Sequence, residues 1–282
     1  MILFKKTAEL RNYLDVQAKK GKSIGFVPTM GALHQGHISL IGACKKENSI
    51  TVSSIFVNPA QFNDPKDFTK YPVHIDRDIE MLETAGCDVL LLPSVLEIYP
   101  GGQPRQHYEL GHLENLLEGK FRPGHFQGVC MVMHRLLDIV KPANLYLGQK
   151  DYQQCMVITK LIELIGMNGS VKVNICPTLR EPDGLAMSSR NLRLGEEERK
   201  NAATIFRTLC FIKDNLGKKN INQLIEEAIA MLNKKGFKVD YVTIVNATTL
   251  EPIEVFNKDQ KTVALIAAFI NEVRLIDNLP LN

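Results

Sequence analysis

The stretch Pro28-Thr-Met-Gly-Ala-Leu-His-Gln-Gly-His37 decides the fold prediction, because it joins an apolar, strand-like run at Ile24–Val27 to an amphipathic helical pattern. That pattern places apolar side chains at Ile38, Leu40, Ile41 and Cys44. A strand that enters a glycine-containing turn at a helix start presents unpaired backbone N–H groups and the positive end of the helix dipole. His34 and His37 are three residues apart, so a helical turn places them on one face. The stretch therefore predicts a site for the phosphates of a nucleotide.

Other interpretations of this turn are possible. The G-x-G-x-x-G fingerprint of dinucleotide-binding folds is absent from it. A zinc site needs a third His, Cys, Asp or Glu ligand, and none lies at ligand spacing nearby. Two polar residues that merely begin a helix are the plain structural alternative. The His-x-Gly-His pattern at His34–His37 resembles the signature of the nucleotidyl-transferring, class I synthetase-like superfamily.

Composition excludes several classes of protein. The chain has 282 residues, 45% hydrophobic and 23% charged, which is ordinary for a globular protein with a large core and room for two domains. A net charge of +3 without a long basic run argues against nucleic acid as a partner. No apolar run is long enough for a signal peptide or a membrane span, so we expect a cytoplasmic protein. The six cysteines are spread singly, which predicts free thiols in the core.

The first part of the chain alternates strand-like and helix-like patterns. The predicted strands are Ile24–Val27, Ile50–Val57, Asp88–Leu92, Leu145–Leu147 and Val171–Cys176. The predicted helices are Ile38–Lys46, Ile75–Ala85, Phe126–Val140 and Tyr152–Ile165. This alternation predicts an α/β domain at 1–176 with a Rossmann-like, doubly wound parallel sheet.

The pattern changes after Pro177. Two helical stretches, Glu196–Asn215 and Asn220–Lys235, precede strand-like runs at Lys238–Val245 and Thr262–Ile270. We therefore expect a smaller α+β domain at 177–282, which would act as a lid.

Polar side chains follow the predicted strands. Asn58 and Gln61 come directly after the second strand, where Asn58-Pro59 turns the chain. Arg122 and His125 lie in a Gly/Pro loop before a long helix. Ligands of doubly wound sheets bind beyond the carboxyl ends of the strands, so we expect these residues and the Pro28–His37 turn to meet in one cleft.

A second group of polar residues lies further along the chain. After a strand ends at Gly148, Lys150 is suited to a phosphate and Asp151 to a helix cap or a ribose hydroxyl, and Gln154 follows one turn later. Met187–Arg190 places two hydroxyl groups beside a guanidinium, which suits phosphate oxygens. Its position at the predicted domain junction would let this loop close over a nucleotide.

Five of these segments together resemble the pantothenate synthetase (pantoate–β-alanine ligase) family, in order and at family spacing. They are Pro28–His37, Phe56-Val-Asn-Pro-Ala-Gln-Phe62, Arg122-Pro-Gly-His-Phe126, Gly148-Gln-Lys-Asp-Tyr-Gln-Gln154 and Asp183-Gly-Leu-Ala-Met-Ser-Ser-Arg-Asn191. The resemblance covers nearly the whole chain. It implies an ATP- and Mg²⁺-dependent ligation in two steps, with pantoyl-adenylate as the intermediate and β-alanine as the second acceptor.

The resemblance also implies roles for individual residues. His37 would be the catalytic proton donor, and His34 and Lys150 would act beside it. Substrate would be bound by Gln61, Gln154, Asn58, Arg122 and His125. ATP would be bound by Met30, Gly31, Ala32, Leu33, His34, Gln35, Gly36, His37, Gly148, Gln149, Lys150, Asp151, Leu179, Met187, Ser188, Ser189 and Arg190. A homodimer through the first domain is implied as well.

The chain departs from the usual family pattern in two places. Gln149 stands where the family commonly has glutamate, and we expect it to be tolerated because it keeps a side-chain carbonyl acceptor. Arg77 stands where an acidic residue is common, which leaves Asp78 as the candidate carboxylate for Mg²⁺ on this helix. The phosphates of ATP and water would otherwise supply the ligands of the metal ion.

Two other functions are compatible with the fold. Another His-x-Gly-His nucleotidyltransferase, acting on a phosphorylated substrate, would need an extra cation where this chain has Gln61 and Gln154. A non-catalytic nucleotide sensor would be expected to lack some of the cationic and imidazole groups that remain here, namely His34, His37, Lys150 and Arg190.

Overall fold

A computed structural model describes residues 1–62, 68–102 and 106–282. The chain forms two compact units. The first consists of Met1–Gly148 and Gln154–Pro177, and the second of Gln149–Gln153 and Thr178–Asn282. The chain passes from the first unit to the second for the last time between Pro177 and Thr178, one residue after the predicted boundary. No sequence pattern indicated that Gln149–Gln153 belongs to the second unit.

The first unit is built on a six-stranded sheet in which every strand pair is parallel, in the order β1-β4-β3-β2-β5-β6. The strands are β1 Ile2–Phe4, β2 Ile24–Thr29, β3 Ile50–Ile55, β4 Val89–Leu91, β5 Asn144–Gly148 and β6 Lys172–Cys176. The central strands β2 and β3 are almost entirely buried, as expected for strands covered on both faces. The predicted doubly wound parallel sheet is confirmed.

The connections of this sheet reverse direction next to β2. The chain leaves β2 towards β3 and β4, and it then crosses to β5 and β6 on the other side of β2. Because such crossovers are almost always right-handed, the helices of the two directions cover opposite faces. After β2 the chain therefore continues towards one edge of the sheet, and after the neighbouring strand β5 it continues towards the other edge. A topological switch point, where doubly wound sheets bind ligands, lies between their carboxyl ends at Thr29 and Gly148.

Amphipathic helices cover the sheet. Helices Gln35–Glu47 and Ile75–Thr84 share one apolar cluster with side chains of β2, β3, β4 and β5, including the buried Val27, Ile55 and Leu90. Other α-helices among the described residues up to Pro177 are Thr7–Lys19, Val95–Ile98, Leu117–Phe121, His125–Val140 and Tyr152–Leu164. Helix His125–Val140 buries the predicted stripe that includes Val129, Val132 and Leu136, and it ends before Pro142 as the sequence predicts.

The second unit contains an antiparallel three-stranded sheet, in the order β7-β8-β9. Its strands are β7 Phe237–Asn246, β8 Thr262–Ile270 and β9 Val273–Pro280. Helices Thr204–Asn215 and Ile221–Asn233 pack against it through a cluster that includes Leu209, Leu224 and Ile266. A further helix covers Glu196–Ala202, so the single helix predicted for Glu196–Asn215 is divided at Ala203. The α+β character of the unit is as predicted, and β9 was missed.

The cysteines are free thiols. Cys44, Cys87, Cys130 and Cys155 are buried, whereas Cys176 and Cys210 are partly exposed. Burial raises the pKa of Cys44 and Cys130 to about 12 and that of Cys87 to about 11, so these thiols are protonated at neutral pH. Among the helices of the described residues, none combines the length and hydrophobicity needed to cross a membrane.

Candidate active site

The turn after β2 is held by one buried carboxylate. Asp78 is 1% exposed, and its two oxygens accept hydrogen bonds from the backbone N–H groups of Ala32 at 2.8 Å and Leu33 at 2.7 Å. The N–H of Gly31 donates to Thr29 Oγ1 at 3.2 Å. Gly31 has a φ of +81°, and a Cβ there would lie 3.0 Å from an Asp78 oxygen. This close approach requires glycine.

These bonds bear on two of the predicted roles. The N–H groups of residues 31–33 do not form an open anion cradle, because Thr29 and Asp78 already accept from them. Asp78 is also poorly suited to hold Mg²⁺, because each of its oxygens is engaged by a backbone donor and the side chain is almost fully buried. A buried carboxylate paired with two backbone N–H groups organises the turn that leads to His34.

The two histidines cap the helix that begins at Gln35. His34 Nδ1 accepts from the N–H of Gly36 at 3.2 Å, and His37 Nδ1 accepts from the N–H of His34 at 3.3 Å. This is a capping box built from two imidazoles. A ring nitrogen that accepts a hydrogen bond carries no proton, so the proton of each neutral ring is on Nε2. The ring centroids are 4.1 Å apart. Both imidazoles are thereby fixed as Nε2–H donors.

Asn58 is a structural residue at the end of β3. Its amide nitrogen donates to Gly128 O at 3.0 Å and to Gln61 Oε1 at 3.3 Å. Its oxygen accepts from Tyr99 Oη at 3.0 Å and from the N–H of Ala60 at 3.3 Å. The side chain is fully buried, and all four of its hydrogen-bonding positions are used. These bonds make Asn58 a support for Gln61, and its contact with substrate stays a prediction.

Gln61 is held from both its backbone and its side chain. It is 8% exposed, its Nε2 lies 2.9 Å from Met30 Sδ, and its carbonyl oxygen lies 2.8 Å from His125 Nδ1. A Cβ at Gly128 would lie 2.1 Å from Ala60 O, so glycine is required for the helix to approach this turn. Met30 follows β2 and Gln61 follows β3. The structure thus brings together two of the segments that the sequence predicted would converge.

His125 is buried between Gln61 and Arg122. Its Nδ1 contacts Gln61 O, and its Nε2 lies 3.0 Å from Arg122 Nη1. Arg122 is also 3.9 Å from the carboxylate of Glu118, which is itself buried. Both ring nitrogens have protein partners, so His125 connects Gln61 with Arg122, and its contact with substrate stays a prediction.

In the second unit, Gln149–Asp151 forms a 3₁₀ turn that β9 holds in place. The amide nitrogen of Asn278 donates to the carbonyl oxygens of Gln149 at 3.0 Å and Lys150 at 2.9 Å. Gln149 Nε2 donates to Asn278 Oδ1 at 3.2 Å. Lys150 Nζ lies 3.8 Å from Asp151 Oδ1, and its side chain is 16% exposed. Asn278 carried no sequence signal, because it lies far along the chain in a strand that the sequence did not predict.

Residues 179–187 form a tight hairpin and not an extended connector. Met187 N donates to Leu179 O at 3.0 Å, and Arg180 pairs with Ala186 across the hairpin. Ser188 Oγ caps a 3₁₀ helix, Ser189–Arg193, by accepting from the N–H of Arg190. The predicted phosphate-binding group is therefore held in one short structure within the second unit.

Gln154, the other glutamine predicted to bind substrate, follows β5. Gln154 lies in the first turn of helix Tyr152–Leu164, which follows β5, and it is partly exposed. Gln61 follows β3, so the two glutamines follow strands on either side of β2. Within residues 1–62, 68–102 and 106–282, no three His, Cys, Asp or Glu side chains are grouped so that they could hold a metal ion.

The chain is similar to known proteins over nearly its whole length. The family model described as pantoate-beta-alanine ligase matches residues 2–280. The pantothenate synthetase of Cytophaga hutchinsonii is 44% identical over 282 residues, which is 99% of each chain. That of Phocaeicola vulgatus is also 44% identical, again over 99% of each chain.

Solved structures extend this similarity to the fold. The pantothenate synthetase of Thermus thermophilus superposes with a TM-score of 0.92 at 39% identity, covering 100% of this chain and 99% of that one. The pantoate-beta-alanine ligase of Francisella tularensis, solved in complex with beta-gamma ATP and β-alanine, gives a TM-score of 0.84 at 38% identity, covering 100% of this chain and 98% of that one. Sequence and fold agree over the full length, and the chain belongs to the pantoate–β-alanine ligase family.

Proposed function

We propose that the chain joins pantoate to β-alanine at the expense of ATP, forming pantothenate, AMP and pyrophosphate through pantoyl-adenylate. The observation that carries this proposal is the family match over residues 2–280, together with full-length relatives at 44% identity. The alternative of a nucleotidyltransferase for phosphorylated substrates is not favoured. That function would need a cation near Gln61, and the side-chain partners of Gln61, Asn58 and Met30, are uncharged.

In the first step, a carboxylate oxygen of pantoate forms a bond to the α-phosphorus of ATP, and the bond from that phosphorus to the bridging oxygen of pyrophosphate breaks. A carboxylate is ionised at neutral pH, so no general base is needed to make it a nucleophile. The enzyme must instead position the reactants and stabilise the negative charge that grows on the phosphates.

We assign the donors for that charge to residues of each unit. In the first unit, His34 and His37 are fixed as Nε2–H donors, and we assign the proton-donor role to His37. In the second unit, the ammonium of Lys150 and the hydroxyl and guanidinium groups of Ser188, Ser189 and Arg190 suit phosphate oxygens.

The full set of proposed ATP contacts follows the family resemblance. Because the N–H groups of Gly31, Ala32 and Leu33 are engaged within the protein, these residues would contact the nucleotide through other atoms. Leu179 would contact the adenine. The set is Met30–His37, Gly148–Asp151, Leu179 and Met187–Arg190.

Pantoate is assigned to Gln61, Gln154 and Arg122. Two neutral amides can orient a carboxylic acid by hydrogen bonds without neutralising the charge that makes it nucleophilic. Asn58 and His125 hold Gln61 in place. In the second step, the amine of β-alanine attacks the acyl carbon of the adenylate and AMP leaves.

Mg²⁺ is proposed to arrive with ATP as part of the substrate. The carboxylate of Asp78 is engaged by two backbone donors, and the described residues offer no cluster of protein ligands. Magnesium commonly keeps several waters and is held by substrate phosphates, which agrees with this arrangement.

A homodimer and a cytoplasmic location complete the proposal. The homodimer follows from the family resemblance and would form through the first unit, whereas the location follows from the short apolar runs of the sequence. Light scattering of the purified protein would then give twice the mass of the 31.7 kDa chain. The mass of a single chain would contradict the dimer.

The proposed reaction is tested by incubating the protein with MgATP, pantoate and β-alanine and analysing the products by mass spectrometry. We expect pantothenate and AMP in equal amounts, and neither product when pantoate is omitted. Release of AMP without an amide product, or no dependence on pantoate, would contradict the proposal.

Alanine at Gln61 or Gln154 should weaken pantoate binding selectively. Each substitution removes hydrogen bonds to a charged acid, each worth about 1.5–3 kcal/mol, so the KM for pantoate should rise by roughly 10- to 150-fold. The KM for ATP should change by less than about threefold, and Gln223→Ala, an exposed position in the second unit, serves as the control. An equal loss of ATP affinity would mean that these glutamines belong to the nucleotide site.

A further inference from the structure

We propose that Asn278, on the last strand of the chain, is a positioning residue for Lys150, and that Gln149 is matched to it. The inference rests on the proposed function, because it assigns a support to a lysine that would bind the phosphates of ATP. It concerns the second unit alone, which contains Gln149, Lys150 and Asn278.

The Asn278 amide has only one orientation that satisfies its neighbours. Its nitrogen faces two carbonyl oxygens, those of Gln149 at 3.0 Å and Lys150 at 2.9 Å. Both hydrogens of the NH₂ group are thereby used. The side chain belongs to a residue that is 1% exposed, so water cannot replace either bond at low cost. The carbonyl groups on both sides of the backbone nitrogen of Lys150 are consequently hydrogen-bonded to β9.

The orientation of Asn278 determines what residue 149 must offer. With its nitrogen committed to the two carbonyl groups, Asn278 presents its oxygen to residue 149, and Gln149 Nε2 donates to it at 3.2 Å. A glutamate at this position has no hydrogen to donate at neutral pH, and one of its oxygens would face the Asn278 oxygen. Gln149 therefore makes a matched contact with Asn278 in this chain and is not merely tolerated at its position.

Asn278 is itself fixed by a partly buried ion pair. Arg180 binds the carboxylate of Asp277 through two bonds, of 2.6 and 3.1 Å, and it donates to the carbonyl oxygen of Asn278 at 3.3 Å. The Asp277 carboxylate also accepts from the N–H of Asn278 at 2.8 Å. Arg180 lies over the Phe206 ring, 4.0 Å from its centroid. Both backbone polar groups of Asn278 in β9 are therefore hydrogen-bonded to this ion pair.

The first test uses Asn278→Asp, with Asn233→Asp as the control because Asn233 is an exposed asparagine of the same unit. The aspartate would turn an oxygen towards carbonyl oxygens and lose both donors. In hydrogen exchange of the full chain, peptides that cover Gln149–Asp151 should exchange at least about tenfold faster, while peptides of β8 stay unchanged. Unchanged exchange at Gln149–Asp151 would overturn the inference.

Two milder variants keep the test valid if Asn278→Asp does not fold. Gln149→Met removes the donor without adding charge, and Gln149→Glu replaces it with an acceptor. Each should lower pantoate-dependent ATP–pyrophosphate exchange by about three- to tenfold, as expected for one lost hydrogen bond, with glutamate at least as harmful as methionine. A rate that rises with glutamate would overturn the matched-pair assignment.

The second test asks whether Asn278 acts through Lys150. Asn278→Asp should lower the exchange rate by about 10- to 100-fold in the wild-type background, but by less than about threefold in a Lys150→Ala background. If Asn278→Asp lowers the exchange rate by the same factor in both backgrounds, Asn278 has a general structural role and the inference is overturned. If the wild-type protein shows no pantoate-dependent exchange, the proposed function fails, and the hydrogen-exchange result still decides the positioning of Lys150.

Discussion

Replacing His37 by alanine is expected to lower the rate of adenylate formation by about 10²–10³-fold, equivalent to about 3–4 kcal/mol of transition-state stabilisation. The reason lies in the capping geometry. His37 Nδ1 accepts from the backbone N–H of His34, so its Nε2–H is the donor that would stabilise charge on the reacting phosphates. Pantoate-dependent exchange of labelled pyrophosphate into ATP measures this step without β-alanine.

His37→Gln separates catalysis from capping. Glutamine at the third helical position can also accept from the N–H of the capping residue, so this variant should unfold at nearly the wild-type temperature. Its exchange rate should nevertheless be as low as that of His37→Ala. An exchange rate within about tenfold of wild type in either variant would exclude the catalytic role of His37.

Replacing Asp78 is expected to have the largest effect on stability. Asp78→Ala loses two charge-assisted hydrogen bonds, each worth about 1.5–3 kcal/mol, and leaves the N–H groups of Ala32 and Leu33 buried without an acceptor. The free energy of unfolding should fall by about 3–6 kcal/mol, a large part of the roughly 5–15 kcal/mol typical of folded domains.

Asp78→Asn is the variant to measure first, because it retains one acceptor but turns an amide donor towards the second N–H group. In urea, its free energy of unfolding should fall by about half the amount predicted for alanine. Its rate of ATP–pyrophosphate exchange should fall more than about tenfold, because the turn that carries His34 shifts. Asp76→Asn, on the exposed side of the same helix, should change stability by less than about 0.5 kcal/mol. Equal stability of the two variants would show that Asp78 does not hold the turn.

Much of the first unit could be predicted because its signals are local. The apolar run that becomes β2, the helical stripe of His125–Val140 and the turn after each strand are each formed by residues close together in the chain. Helix and strand periodicity therefore gave the parallel sheet, and the sheet gave the edge at which polar residues meet.

The parts that could not be predicted depend on contacts between distant positions. Asp78 lies 46 residues from Ala32, and an aspartate in the first turn of a helix is ordinarily explained by the helix dipole. Asn278 lies 128 residues from Lys150. It belongs to β9, where Asp277, Asn278 and Pro280 interrupt the apolar pattern that would identify a strand.

Differences within the second unit have a similar origin. No glycine or proline marks the break at Ala203, where one predicted helix becomes two. The break is therefore a product of packing, with Ala202 and Ala203 both fully buried against the core of the unit. Intrinsic helix propensity is too weak to fix such a boundary when tertiary contacts favour another one.

Pantoate-dependent ATP–pyrophosphate exchange in the absence of β-alanine tests the central claim most directly, because it isolates formation of the acyl-adenylate. The account predicts exchange that requires pantoate, is unaffected by omission of β-alanine and falls by about 10²–10³-fold in His37→Ala. Exchange that proceeds without pantoate, or none when MgATP and pantoate are saturating, would contradict it.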